Sequence, residues 1–179
     1  MMESTGAKKA NAVKVASLSE LPKLEEMHAI FEDRRFSRHI NEGGTIGGFV
    51  ESTAKVSDTV YIGKNAMVLD NARIFNHARV YDYAQVSDDA WVYDGAQVFG
   101  HSRVFNKARI FGHAQVFGHT QIFGDAQVFG HTQIFGNVIL RTGYLCSRYS
   151  FSSQEDLESW FKKEKEFEAE HSKSLKRTG

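Results

Sequence analysis

The sequence has little of three things that often define a protein class: cysteine, proline and long apolar runs. Cys146 is the single cysteine, so a disulfide within the chain is excluded and a cytoplasmic location is expected. No run approaches the roughly 20 apolar residues of a membrane span. The N-terminal residues 1–16 contain lysines but no apolar core of a signal peptide. We therefore expect a protein with no membrane contact.

An excess of charge of one sign is also missing. The chain carries 22 basic and 22 acidic side chains, and the balance holds along its length. Binding to phosphate backbones needs a basic footprint, and no segment offers one. We expect no nucleic-acid partner. At 179 residues, the chain suits one domain with short appendages.

What the sequence does contain is a repeat of six residues. From Val50 to Leu140 every sixth residue is Val, Ile or Leu, over sixteen consecutive positions. Two residues before each lies a second series, from Gly48 to Val138, in which ten of the sixteen residues are alanine. Such a period indicates a repeat architecture.

The spacing of the two series favours strands over a helix. Residues two apart share one face of a strand, whereas a six-residue period on a helix would spiral around its surface. Three short strands per turn make an 18-residue coil, so about five coils should rise roughly 25 Å at about 4.8 Å each. The sequence predicts a mainly β protein, a parallel and triangular β-solenoid with aliphatic and small residues inside.

The repeat units resemble those of known proteins. The segment YIGKNAMV (residues 61–68) is similar to the hexapeptide repeat of left-handed β-helix proteins, and Gly47-Gly48-Phe49-Val50 is similar to the segment before their first coil. Later units such as NARIFN, HARVYD and GAQVFG resemble the N-A-x-V-Y-G repeats of bacterial and phage- or prophage-encoded proteins, most of unassigned function. The resemblance implies left-handed winding and a precedent for trimers.

Three regions are expected from this pattern. Residues 1–46 should be a loose terminus followed by a short helix, at about 20 to 35, and residues 47–142 should form the β-helix. Residues 143–179 should form a C-terminal helix and tail, with Leu157, Trp160 and Phe161 on one apolar stripe. Open solenoid ends invite pairing, so both helices could cap their own ends. Alternatively, the C-terminal stripe could fix an oligomer.

The position after each aliphatic residue is unusually aromatic. Alternation along the strand places this position outside, and an 18-residue coil stacks its members in columns. Gln97, Gln115, Gln121, Gln127 and Gln133 stand on the other side of the aliphatic residues, where we expect similar ladders. The outward rings of the last coils are Phe99, Phe105, Phe111, Phe117, Phe123, Phe129 and Phe135.

These outward residues have two interpretations. Stacked rings and amides could serve only to stabilise the coils. Between Ile110 and Leu140, however, the only charged residue is Asp125. An apolar, nearly uncharged surface is typical of an interface. We therefore predict an interaction surface of these seven Phe residues with Gln115, Gln121 and Gln127, buried by self-association or by a partner.

Enzymatic alternatives depend on histidine. His77, His101, His113, His119 and His131 recur at corners, but their spacing equals the repeat. Zinc enzymes of this fold pair two histidines separated by four residues, whereas five residues separate His113 from His119. Acyltransferases of the fold usually interrupt the coils with a loop, and none interrupts these. The outward Gln and Phe residues also differ from the Thr ladders of ice-binding solenoids. We expect no catalytic residues, metal or cofactor.

The sequence thus predicts a non-enzymatic interaction protein. It should be a homo-oligomer, with the trimer as precedent, that binds an unidentified host protein in the bacterial cytoplasm. If the chain is phage-borne, inhibition of that protein is the expected role. An acyltransferase-like enzyme with its site at a subunit boundary is the alternative.

Overall fold

The computed structural model describes residues 35–146 and 148–175, which form a parallel β-solenoid followed by one helix. The strands are β1 (Phe36–Ile40), β2 (Ile46–Glu51), β3 (Lys55–Val56), β4 (Tyr61–Ile62), β5 (Met67–Val68), β6 (Arg73–Ile74), β7 (Arg79–Val80), β8 (Gln85–Val86), β9 (Trp91–Val92), β10 (Gln97–Val98), β11 (Arg103–Val104), β12 (Arg109–Ile110), β13 (Gln115–Val116), β14 (Gln121–Ile122), β15 (Gln127–Val128), β16 (Gln133–Ile134), β17 (Ile139–Leu140), β18 (Tyr144–Leu145) and β19 (Ser150–Phe151). The helix, α1, spans Gln154–Leu175.

The strands stack into three sheets, one for each side of the coil. Sheet A has the order β1-β2-β5-β8-β11-β14-β17, sheet B runs from β3 to β18, and sheet C runs from β4 to β19. From β2 to β16, each strand pairs in parallel with the strand three positions later in the chain. Val98, for example, pairs with Val116, eighteen residues later. The mainly β solenoid is confirmed, with about six coils. Its left-handed winding stays a prediction.

The lumen is filled by the two series that the sequence placed there. Ile62, Ile74 and Ile110 are fully buried, as are Ala78 and Ala114 of the small series. Thr120 and Thr132 also point inward, and each hydroxyl donates to the carbonyl three residues earlier, at 2.8 Å. Because every side of the coil meets this narrow core, the period of six determines which residues face out.

The solenoid continues past residue 142, where the sequence placed its end. Leu145 and Phe151 are buried in the lumen, and β18 and β19 pair with the coil below at an offset of 17 residues instead of 18. The six-residue period would have placed Cys146 inside, so the coil shifts by one residue and buries Leu145 instead. Because of this shift, the last coil does not follow the six-residue period, and the sequence pattern does not reveal it.

The N-terminal end of the solenoid is closed by a strand that the sequence did not predict. Strand β1 pairs antiparallel with β2. Just after it, Asn41 bonds to the backbone of β4: its Nδ2 donates to the Ile62 carbonyl at 3.1 Å, and its Oδ1 accepts from the Ile62 N–H at 2.8 Å. The side chain thereby replaces a missing neighbouring strand. The predicted helix from about 20 to 35, except for Arg35, lies outside the described residues.

The C-terminal end is closed by α1. The Ser153 hydroxyl accepts from the Asp156 N–H at 3.1 Å, which caps the helix as a serine N-cap does. Leu157 is buried over the last coil, and Gln154 Oε1 accepts from the Ile139 N–H of β17 at 2.9 Å. Within the described residues, α1 lacks the apolar length needed to cross a bilayer.

Candidate interaction surface

At ten corners of the coil, an outward ring directly precedes a residue with left-handed backbone. At six of these corners the residue is glycine, and Gly118, for example, has a φ of 76°. The same position in the earlier coils is taken by Asp or Asn, which tolerate this conformation better than other side chains. Sequence reasoning missed this second set: Asp70, Asn76, Asp82, Asp88, Asp94 and Asn106.

The corner Asp and Asn side chains link one coil to the next. Asp88 Oδ2 accepts from the Asn106 N–H at 2.9 Å, and Asp82 Oδ2 accepts from the Gly100 N–H at 3.2 Å. Bonds from a carboxylate to a backbone N–H are among the stronger ones in proteins. The acidic corners therefore help to hold the coils of the earlier half together.

The outward rings form three columns, as the sequence predicted. Neighbouring centroids are 4.7 to 5.0 Å apart and the ring planes differ by 11° or less. The first column contains Phe75, Tyr93, Phe111 and Phe129, the second Tyr81, Phe99, Phe117 and Phe135, and the third Phe105 and Phe123. The columns run along the edges of the prism, outside the lumen.

The rings are less exposed than their outward position suggested. All ten are only partly exposed, whereas Tyr144 on the last coil is 66% exposed. The coil spacing nearly equals the distance at which aromatic rings stack, so each ring covers the faces of its neighbours. The apolar patch predicted from the sequence is thus reduced to narrow strips, which a partner would contact mainly through ring edges.

Three of the five predicted glutamines form a ladder, and the other two lie on different sheets. Gln97, Gln115 and Gln133 stack on sheet C in register. Gln121 stands on sheet A next to Arg103, and Gln127 stands on sheet B next to Arg109. Residues six apart lie on different sides of a triangular coil, so glutamines at a six-residue spacing cannot share one face.

The surface changes in character along the solenoid. We call residues 55–110 the charged half and residues 111–140 the neutral half, because Asp125 is the only charged residue in the latter. The charged half contains Arg73, Arg79, Arg103 and Arg109, and each guanidinium lies over an aromatic ring. The ring columns continue through both halves, so charge and not shape distinguishes them.

The two tyrosines inside the columns are affected by this packing. Burial raises the pKa of Tyr81, an effect that the nearby Arg79 partly opposes. Burial likewise raises the pKa of Tyr93, with Arg109 acting in the opposite sense. Both phenols therefore stay neutral in the folded chain to a higher pH than an exposed tyrosine.

The residues predicted to fix an oligomer pack against their own chain. Leu157 is buried, and the ring of Trp160 meets that of Phe151 edge-on at 5.8 Å. Phe161 lies over Gly143, where an added Cβ would come within 2.7 Å of the ring. The capping interpretation accounts for these contacts. A role in oligomerisation stays a prediction that depends on the partly exposed Trp160 and Phe161.

The corner histidines also stack. The ring centroids of His101 and His119 are 5.0 Å apart and the rings are parallel, with the ring of Tyr83 stacked on the other face of His101. The ring centroids of His113 and His131 are 5.1 Å apart. Stacking presents ring faces to each other and does not converge nitrogen atoms on one point. In the described part of the chain, no three His, Cys, Asp or Glu side chains are grouped as metal ligands.

Two of the clefts along the described residues are relevant to an enzymatic alternative. One, of about 570 Å³, follows the corner before sheet B and is lined by carboxylates, among them Asp70, Asp89 and Asp125. The other, of about 470 Å³, lies between the last coil and α1, next to Tyr144 and Trp160. Among the described residues that line these two clefts there is no histidine, so neither lining combines an imidazole with a carboxylate there.

Comparison with known proteins identifies no relative of the chain. No family model, no curated protein and no solved structure matches the chain.

Proposed function

We propose that the chain is a non-enzymatic protein-interaction module that binds a host protein through the outer faces of an oligomeric β-solenoid. The repeat resembles that of phage- and prophage-encoded proteins, so we place the target in the bacterial cytoplasm, where binding would inhibit it.

The ring columns of the neutral half carry this proposal. Phe117 and Phe123 belong to different columns, and their partly exposed edges flank Gln121 on sheet A. Aromatic side chains with few charged neighbours are typical of an interface core. A rigid solenoid adds to the affinity of such a surface, because little side-chain freedom remains to be lost on binding.

Two alternatives compete with the proposal. The columns could serve only to stack the coils, in which case their removal would lower stability without changing assembly or binding. An acyltransferase-like enzyme would need a histidine beside a carboxylate, and the clefts described above offer carboxylates without histidine. Its site would therefore have to lie at a subunit boundary.

The test is the double substitution of Phe117 and Phe123 by serine. We expect loss of the oligomer in light scattering, or loss of the protein co-purified from the host, while circular dichroism still reports the solenoid. The matched control replaces Phe75 and Tyr81 by serine, which removes two column rings of the charged half that lie outside the predicted interaction surface.

The interaction proposal is wrong if the double variant assembles and captures its partner like the parent chain. Acyl transfer that disappears when His119 or His131 is replaced by alanine would support the enzyme instead.

A further inference from the structure

A second surface, on sheet B of the charged half, combines arginine with tryptophan. Arg73, Trp91 and Arg109 occupy the outward positions of three successive strands, in direct register. The Cζ of Arg73 lies 5.0 Å from the Trp91 ring centroid and that of Arg109 lies 5.3 Å from it. Lys55 precedes them in the same column. We call these four residues the arginine strip.

The two guanidinium groups are exposed, and no acidic side chain of the described residues pairs with them. Both arginines are exposed, and within the described residues neither forms an ion pair or a hydrogen bond. A guanidinium over an aromatic face keeps its five N–H donors in its own plane, where they can meet a carboxylate in a bidentate pair. Contact with the indole also limits side-chain motion, so less entropy is lost when an anion binds.

An acidic cleft runs beside the strip. The cleft before sheet B has a volume of about 570 Å³, and its carboxylates include Asp88, Asp89 and Asp125. Lys107 is the cation among the described residues that line it. Asp89 stands only two residues before Trp91, so positive and negative stripes lie next to each other. A nucleic acid, which is negative along its whole length, would be repelled by the cleft. A protein segment with charges of both signs fits the two stripes.

We propose that the arginine strip binds an acidic segment of a partner protein, with two carboxylates about 10 Å apart. This spacing follows from the two coil steps between Arg73 and Arg109, at about 4.8 Å each. Two turns of a helix span the same distance and return both side chains to one face, whereas residues three apart on an extended strand point to opposite faces. No two acidic residues of the described helix α1 are seven positions apart, so a second copy's helix fits less well.

The experiment uses the fluorescence of Trp91 in the full chain. The sequence has two tryptophans, so the Trp160→Phe variant leaves Trp91 as the only indole. The probe is a 16-residue alanine-based helical peptide with two glutamates seven positions apart and one lysine. The same peptide with glutamine at both acidic positions is the control, and a ten-nucleotide oligothymidylate tests the nucleic-acid alternative.

We expect saturable binding of the glutamate peptide, weakened at least 10-fold by Arg73→Gln or Arg109→Gln. Arg103→Gln is the matched control, since Arg103 lies over Phe105 on sheet A, away from the strip, and should change the affinity less than 2-fold. Circular dichroism of each variant checks the fold.

Four results would overturn the inference. They are equal binding of the glutamine peptide, an equal loss in Arg103→Gln, tighter binding of the oligothymidylate, and absence of saturation at millimolar peptide. A dimer that forms in the parent chain but not in Arg73→Gln would identify a second copy as the occupant instead. Because this surface lies on the charged half, its failure would leave the proposed role of Phe117 and Phe123 intact.

Discussion

The charged and neutral halves share one backbone and the same ring columns, but they differ in charge at corner and strand positions. At the left-handed corner position, Asp88 of the charged half corresponds to Gly124 of the neutral half, two coils later in the same column. At the outward strand position, Arg79 corresponds to Gln115 in the same way. The core specifies the coil, so the surface can vary freely as long as each corner accepts a positive φ. Two distinct binding surfaces can therefore coexist on one solenoid.

The comparison predicts that corners of the neutral half tolerate a side chain less well. We expect Gly124→Ala to lower the free energy of unfolding by about 2 kcal/mol or more, since left-handed backbone costs an L-residue about 1–2 kcal/mol. The added Cβ would also lie 2.3 Å from the Arg141 carbonyl oxygen. Denaturant unfolding measures the change.

The control for this substitution is Asp88→Gly. It removes backbone strain but also the bond to the Asn106 N–H, so we expect a change within about 1 kcal/mol. If Gly124→Ala proves as mild as Asp88→Gly, the two corner types are interchangeable and the contrast between the halves is only one of charge.

A second prediction concerns the number of stacked neighbours that each ring has in its column. Phe117 has ring neighbours on both sides, at 4.7 and 4.9 Å, whereas Phe123 has one, at 4.8 Å. Since an aromatic pair contributes about 0.5–1.5 kcal/mol beyond burial, Phe117→Leu should cost roughly twice as much unfolding free energy as Phe123→Leu. Equal costs in thermal unfolding would show that ring stacking contributes little.

The tyrosines of the charged half give a pH-dependent prediction. Burial raises the pKa of Tyr93 above its ordinary value of 10. Tyr93 is therefore deprotonated first in the unfolded chain, so its stabilising contribution is present below about pH 10 and lost as the pH rises through the raised value. Stability of the parent chain should fall more steeply than that of Tyr93→Phe in alkaline unfolding curves. Parallel curves would contradict this assignment.

The smallest effect is expected at the N-terminal cap of helix α1, which follows the neutral half in the chain. Hydrogen bonds from the Ser152 and Ser153 side chains lower the pKa of Asp156 below 3.8. This contribution is present above about pH 3.8 and lost as the pH falls through the lower folded value. The helical circular dichroism signal should decrease slightly on acidification, and less in Asp156→Asn. An identical acid response in both chains would exclude Asp156 as the cause.

Much of the fold could be predicted, because the six-residue period constrains every coil. The inward positions of Val98 and Ala114 and the stacking of Phe99 on Phe117 follow from the spacing alone. Strand β1 could not be predicted, since its pairing with β2 depends on a register between residues outside the repeat. The last coil was missed because its one-residue shift is decided by packing, which favours Leu145 over Cys146 in the lumen.

For the candidate surface, the sequence identified the aromatic residues but overestimated their exposure. Ring exposure depends on the distance between coils, which is a property of the stacked backbone. The arginine strip was missed for a related reason: Arg73 and Arg109 are 36 positions apart, and only the 18-residue coil brings both to Trp91.

By itself, the sequence determined that residues from Val50 to Leu140 form a solenoid, because alternating aliphatic and small side chains at a fixed period can be buried together in only a few ways. The tertiary structure decided which outward residues become neighbours. Parallel strands stack residues 18 apart at about 4.8 Å, so surface chemistry is set by contacts between coils.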